Sequence, residues 1–310
     1  MKQEYTLIEK LERLLEHYRY STKLAEALGV SRVSIVNWRE GASVSETNRA
    51  KIDYLFYEKI FLPSIEENKH EAEASIKRVT TGSYAHLMGS INLVEETARF
   101  NAFGSLEVET DVNRRQFESV VEGAYVQKDI EKRRVLEINN LYHLTKKIIE
   151  DTLNGRVELS VETLKSWHLA LFLGIREDAG EFSTKFRKIK DTDISLTYPE
   201  DIPEEMAYWM HTHQRPANLF DIAKAHEHFE LIHPFGDGNG RIGRLIVTHQ
   251  CLRLGLLPPL IHKGNKALYY AALYKAQKSG NVLPLTWLFS QAIEEMRKRL
   301  SNQPFQPLDQ

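Results

Sequence analysis

The segment His233-Pro-Phe-Gly-Asp-Gly-Asn-Gly-Arg-Ile-Gly-Arg244 constrains this 310-residue chain more than any other. Before it, residues 220–232 place Ile222, Ala225, Phe229 and Ile232 at helical spacing. After it, residues 242–256 read as a second helix, apolar enough to be buried. The loop between them must therefore be short and held at both ends. Gly236, Gly238 and Gly240 can adopt positive φ and let a ligand approach the backbone. A helix opening near residues 238–240 turns unpaired amides and the positive end of its dipole towards that ligand, an arrangement suited to phosphate. Arg241 and Arg244 stand i and i+3, so both guanidiniums can face one pocket and grip phosphate oxygens in pairs. Asp237 suits a magnesium ion shared with those phosphates, and His233 is the group able to take a proton near neutral pH. A plain glycine-rich turn with solvated arginines does not account for a base, an acid, a carboxamide and two guanidiniums on one turn. Together they read as a nucleotide-handling site with a base.

The segment resembles the signature of Fic-domain proteins, His-Pro-Phe-x-(Asp or Glu)-Gly-Asn-Gly-Arg-x-x-Arg, and matches it at every specified position. Ala225-His226-x-x-Phe229, Leu252-Arg-Leu-Gly-Leu-Leu-Pro-Pro-Leu260, Arg176-Glu-Asp-Ala-Gly180 and Leu283-Pro-Leu285 are also similar to the family, and the resemblance covers residues 117–300. It implies a mostly α fold, a helical domain with a small β-hairpin flap. The implied activity is transfer of AMP from ATP, with Mg2+, to a Tyr, Ser or Thr hydroxyl of a target protein or of the chain itself. In that scheme His233 is the general base and Asp237 the metal ligand. Phe235, Gly236, Gly238, Asn239, Gly240, Arg241 and Arg244 contact the nucleotide, and Tyr270 lies near its base. Phosphoryl chemistry of this kind asks a protein mainly for positioning and charge stabilisation, which these residue types supply. The same residues would serve an enzyme that removes AMP from proteins, or a nucleotide sensor controlling a DNA-binding regulator.

The resemblance also implies an inhibitory helix, with the pattern Ser/Thr-x-x-x-Glu-(Gly or Asn) or Ser-x-Ile-Glu-Gly, whose glutamate pairs with the second motif arginine. Ser119, Val121, Glu122 and Gly123 fit the second form, with Glu118 departing from the first. Glu122 is thus expected against Arg244, competing with the terminal phosphate for one guanidinium. Residues 182–198, with Phe186, Ile189, Ile194 and Leu196 around a polar turn, suggest the flap hairpin. In the family such a flap docks target main chain by strand addition.

The chain opens with Thr22-Lys-Leu-Ala-Glu-Ala-Leu-Gly29 and Val30-Ser-Arg-Val-Ser-Ile-Val-Asn-Trp-Arg-Glu-Gly41, which resemble a repressor-type helix-turn-helix. Leu24, Ala25 and Leu28 share a face, Gly29 permits the turn, and Ser31 is a fitting N-cap. Ile35 and Trp38 would be buried, leaving Arg32, Ser34 and Asn37 to contact DNA. Acidic neighbours offset the local lysines and arginines, so no broad basic face supports that role. Paired copies would be needed for useful affinity, hence an expected homodimer.

The organisation expected is residues 1–60 as a DNA-binding-like domain, 61–116 as a connector of unread function, 117–302 as the catalytic domain and 303–310 as a tail. A net charge of −2 argues against a chain dominated by nucleic-acid or membrane binding. The one cysteine, Cys251, permits no internal disulfide. With no signal sequence and no apolar run of bilayer length, a cytoplasmic protein is expected.

Overall fold

The computed structural model describes residues 5–81, 91–124, 130–189 and 192–301. The segment expected as a tail, residues 303–310, lies outside them. The described chain is mostly helical. Four short helices come first: α1 (Leu7–Tyr18), α2 (Ser21–Leu28), α3 (Arg32–Arg39) and α4 (Glu46–Phe56). Local chemistry sets their ends. Thr6 and Glu9 form a reciprocal capping box on α1, and Ser31 Oγ accepts from the Ser34 amide to start α3. Gly29, at φ 65°, turns the chain between α2 and α3. A π-helical turn (Tyr57–Phe61) then leads into α5 (Leu62–Glu67) and α6 (Lys69–Thr80).

These helices do not stand apart from the rest. The apolar cluster containing Leu11, Leu14, Ile35, Ile52 and Phe56 runs without a break into α14 (Lys266–Ser279) and α15 (Leu283–Ser301) once those are reached. Phe61 meets Trp287 edge-on at 5.5 Å, and Glu46 pairs with Lys263 at 2.5 Å.

The second cluster is built from α7 (Ile91–Glu109), α8 (Arg114–Val121), α9 (Lys132–Leu153), α10 (Val161–Leu171), α11 (Ile202–His213), α12 (Leu219–Ile232) and α13 (Asn239–Arg253). Phe117, Phe172, Trp209, Phe229 and Phe235 are fully buried in it, each such ring contributing roughly 1.5–3 kcal/mol. The helices read from sequence at 220–232 and 242–256 are α12 and α13, with α13 opening three residues earlier than its apolar pattern does. Helix α7, from the stretch whose function the sequence left unread, packs along α9 and touches α13. There Gly104 lets α7 approach the 260–262 strap: an added Cβ would come within 2.6 Å of the Ile261 carbonyl.

Candidate active site

Helix α12 ends on His233, which sits in the left-handed region (φ 51°, ψ 55°) with its amide donating to the Phe229 carbonyl at 2.9 Å. Pro234 forbids further helix and disfavours helical backbone at the residue before it. A non-glycine residue held there costs on the order of 1–3 kcal/mol, a cost tolerated where surrounding structure fixes it. The imidazole Nδ1 lies 3.3 Å from the Glu230 carbonyl and 3.8 Å from the Glu230 carboxylate. Those neighbours favour a proton on Nδ1, leaving the Nε2 lone pair free. Burial, reinforced by the Arg187 guanidinium, lowers the His233 pKa to about 4. The ring is therefore neutral at pH 7 and able to accept a proton.

Three residues shape the loop that follows. Asn239 spends its whole carboxamide on Phe235: Oδ1 accepts from the Phe235 amide and Nδ2 donates to its carbonyl, both at 2.8 Å. The Phe235 ring stacks on His168 (4.0 Å, 6°), and its backbone pairs with Phe182 as an isolated antiparallel bridge. His168, fully buried, accepts from the Gly180 amide on Nδ1 (2.8 Å), so its Nε2–H donates to the Asp237 carbonyl at 3.1 Å. Gly238 (φ 78°) turns the chain into α13, and a Cβ there would strike the Phe172 ring at 2.5 Å.

These contacts correct several expectations. Phe235 has no exposed surface and both backbone groups committed to Asn239, so in this structure it acts as part of the loop's scaffold. The Asn239 side chain is likewise a clamp, leaving only its backbone amide at the helix opening. Gly236 and Gly240 do not have the positive φ expected of all three glycines; they are needed for space. A Cβ on Gly236 would press the Arg176–Asp178 ion pair, and one on Gly240 would meet Glu109 Oε1 at 2.7 Å.

The first amides of α13 lack intrahelical partners and lie at the positive end of its dipole. Arg241, buried over the Phe172 ring (4.8 Å), donates to Asp237 Oδ1 at 3.3 Å. The same oxygen accepts from the Gly238 amide at 2.6 Å, and Arg176 stands 3.9 Å from the other. The Asp237 carboxylate remains nearly half exposed at the mouth of the loop. A single open carboxylate beside a helix N-terminus is a donor set compatible with magnesium, which needs few protein ligands.

Arg244 is buried and donates Nε to Ser105 Oγ (2.8 Å) and Nη2 to the Ser105 carbonyl (3.2 Å) and to Glu109 (2.8 Å). Burial works against its charge, but Glu109 outweighs that and raises its pKa. Glu122, expected in this place, is not there. It is exposed at the end of α8, and its carboxylate pairs with Arg99 at 3.6 Å. The reason is tertiary: α7, not α8, lies across α13. The missed signal was legible, since Ser105-Leu-Glu-Val-Glu109 carries the Ser-x-x-x-Glu spacing, with Thr110 where glycine or asparagine was sought.

Below the site, Glu230 is buried with Oε1 unpartnered, and burial raises its pKa to about 8. Tyr270 is partly buried beside Tyr269 (5.2 Å) and near the Glu109–Arg244 pair. In the expected flap, Ser183 donates to the Pro234 carbonyl (2.9 Å) and Thr197 to the Leu231 carbonyl (3.3 Å). The described residues of 182–198 form no strands paired with each other, and Lys190 and Asp191 at the tip lie outside the described residues. Far from the motif on α3, Arg32 donates to Ser21 Oγ (3.1 Å), Ser34 bonds Ser31 (2.9 Å), and Asn37 is exposed beside exposed Val33 and Val36. Among the described residues no helix is long and apolar enough to cross a membrane.

Residues 158–251, from the approach to α10 through most of α13, match the model of the Fic/DOC family, so the chain carries a Fic domain. The protein adenylyltransferase Fic of Drosophila grimshawi is 23% identical over 303 residues, covering 91% of this chain and 57% of that protein. The protein adenylyltransferase fic-1 of Caenorhabditis briggsae is 30% identical over 124 residues, 38% of this chain and 24% of that protein. The chain thus spans little more than half the length of the first relative and a quarter of the second. Among solved structures, a Fic family protein from Desulfovibrio desulfuricans G20 superposes with a TM-score of 0.60 at 22% identity, over 80% of this chain and 77% of that one. Fic-1 (residues 134–508) from Caenorhabditis elegans gives 0.63 at 19% identity, over 95% and 86%. These likenesses concern the fold.

Proposed function

With a Fic domain as premise, we propose that this chain transfers AMP from ATP to a protein hydroxyl. The observation that carries the reading is a neutral His233 held at the end of α12, a few residues before a helix opening whose first turns carry Arg241 and Arg244. His233 Nε2 takes the proton of the attacking hydroxyl as its oxygen bonds to the α-phosphorus, and the bond to the pyrophosphate oxygen breaks. The α13 amides receive the α-phosphate, and the two guanidiniums balance charge on the outer phosphates and the leaving group. A magnesium ion on Asp237 would add charge neutralisation between phosphates.

In the state described, Glu109 holds Arg244 and its carboxylate stands over Gly240, where phosphate would otherwise lie. Glu109 therefore restrains the site until nucleotide or motion of α7 displaces it. The test is incubation of the purified chain with α-labelled ATP and magnesium, with and without Glu109→Gly. Label on protein that requires His233 supports the reading. No label on the chain or on lysate proteins from the Glu109→Gly form would refute it.

A further inference from the structure

Arg187 has no role in the scheme above and is unusually placed. Its Nη2 donates to the carbonyl of His233, while Nε and Nη1 are buried with no partner among the described residues. Burial lowers its pKa, and no carboxylate among the described residues opposes that. A buried guanidinium with two idle donors is costly unless an anion arrives. The nucleotide phosphates already have receivers in the α13 amides, Arg241 and Arg244, all presented from α13. Arg187 comes instead from the 182–198 segment and reaches the backbone of His233, next to the proposed base rather than the proposed phosphate receivers.

The sequence around Arg187 points the same way. Thr184-Lys-Phe-Arg-Lys-Ile-Lys190 holds four cations and no acid. Lys185 and Lys188 are exposed and without ion-pair partners among the described residues. Of the two acids that follow, Asp191 lies outside the described residues and Asp193 is committed elsewhere, to Lys278 (2.8 Å) and the Tyr274 hydroxyl (2.9 Å). Phe186, also exposed, stacks on Tyr198 at 5.1 Å and offers an apolar step between the cations.

We propose that Arg187, with Lys185 and Lys188, selects target segments in which the modified hydroxyl is flanked by aspartate or glutamate. An acidic side chain next to the hydroxyl would take the idle Arg187 donors in charge-assisted, paired geometry. The lysines would add attraction that weakens with salt. The proposal rests on AMP transfer being the reaction.

The experiment uses the full chain carrying Glu109→Gly, α-labelled ATP and magnesium. Acceptors are synthetic peptides with one Tyr, Thr or Ser flanked by Asp/Glu, by Gln/Asn or by Lys. The quantity read is the ratio of kcat/KM between peptide sets, so any general loss through the His233 carbonyl cancels. Acidic peptides should be preferred by about tenfold, the scale of one well-placed charge pair. Arg187→Gln should bring the ratio near unity, and Lys185→Glu with Lys188→Glu should lower it and reduce its salt dependence. Should Arg187→Gln label no peptide, the paired lysine variant decides. Equal labelling of all sets overturns this selectivity and leaves the transfer reading standing. Label on neither peptides nor chain overturns both.

Discussion

The guanidinium of Arg244 and the carboxylate of Glu109 lie 2.8 Å apart across 135 residues of chain, at the junction of α13 and α7. Glu109 ends α7, where a negative charge is unfavourable against the helix dipole. Arg244 offsets that, so the pair stabilises the end of α7 and, on the proposed reading, would hold the phosphate site closed. Glu109→Gly is expected to raise AMP incorporation tenfold or more and to tighten ATP binding. Glu122→Gly, which cuts only an exposed contact to Arg99, should leave both unchanged. Radiolabel transfer and calorimetric titration on the two variants check this.

His233→Ala should lower transfer by about 10²–10⁴-fold, the usual contribution of a positioned base. ATP affinity should stay within a few-fold, because the phosphate receivers lie on α13. A loss of binding equal to the loss of rate would assign His233 to the nucleotide rather than to the hydroxyl.

His168 never approaches the reacting atoms, yet it joins the Gly180 amide to the Asp237 carbonyl under a stacked Phe235. His168→Phe keeps the stacking but leaves both backbone groups unpaired, a loss of roughly 1–3 kcal/mol each where burial persists. The expected result is a lower melting temperature and a fall in kcat through misplacement of Asp237. Unfolding curves and steady-state rates on one preparation separate the two effects.

Gly238 combines φ 78° with a Phe172 ring 2.5 Å from any added Cβ. Gly238→Ala should therefore disable the loop. Adding Phe172→Leu should recover part of the stability and little of the activity, since the backbone conformation still disfavours alanine. Denaturant titration of the single and double variants measures the recovery.

Two buried histidines outside the motif predict an acid sensitivity. Burial lowers His226 to about 3 and His249 to about 4, below the ordinary value near 6.5. Between those limits the unfolded chain binds protons that the folded chain refuses, so stability falls as pH drops from 6.5 towards 4. Each fully expressed difference contributes about 1.4 kcal/mol per pH unit. Urea unfolding at pH 7 and pH 5 should show the loss, and His249→Gln should reduce it by close to one proton's share.

Much of the candidate site is legible in the sequence because its histidine, aspartate and arginines fall within one short stretch, residues 233–244, and the helices around them have clear apolar faces. What escaped depends on distant segments meeting. Glu122-Gly123 made the better local match to an inhibitory pattern, but α8 packs on α9 and faces away from Arg244. Glu109 is placed by the seating of α7, helped by Gly104; its Ser105-x-x-x-Glu109 spacing is only a partial local signal, with Thr110 where the pattern wants glycine or asparagine. His168 lies in Ser-Trp-His-Leu-Ala-Leu-Phe, where a histidine reads as ordinary core. Phe235 and Asn239 were read as ligand contacts because they sit inside the motif, whereas the motif also encodes its own scaffold.

On the proposed reading, Glu109 travels with the chain it would restrain. A latch of that kind has no concentration of its own, so diluting or enriching the protein leaves the closed fraction where it was. On the proposed reading, nucleotide supply would be set against the ease with which the last turn of α7 lets go. Such a site would answer to the energy state around it and to the hold on one helix end, not to how many copies are made.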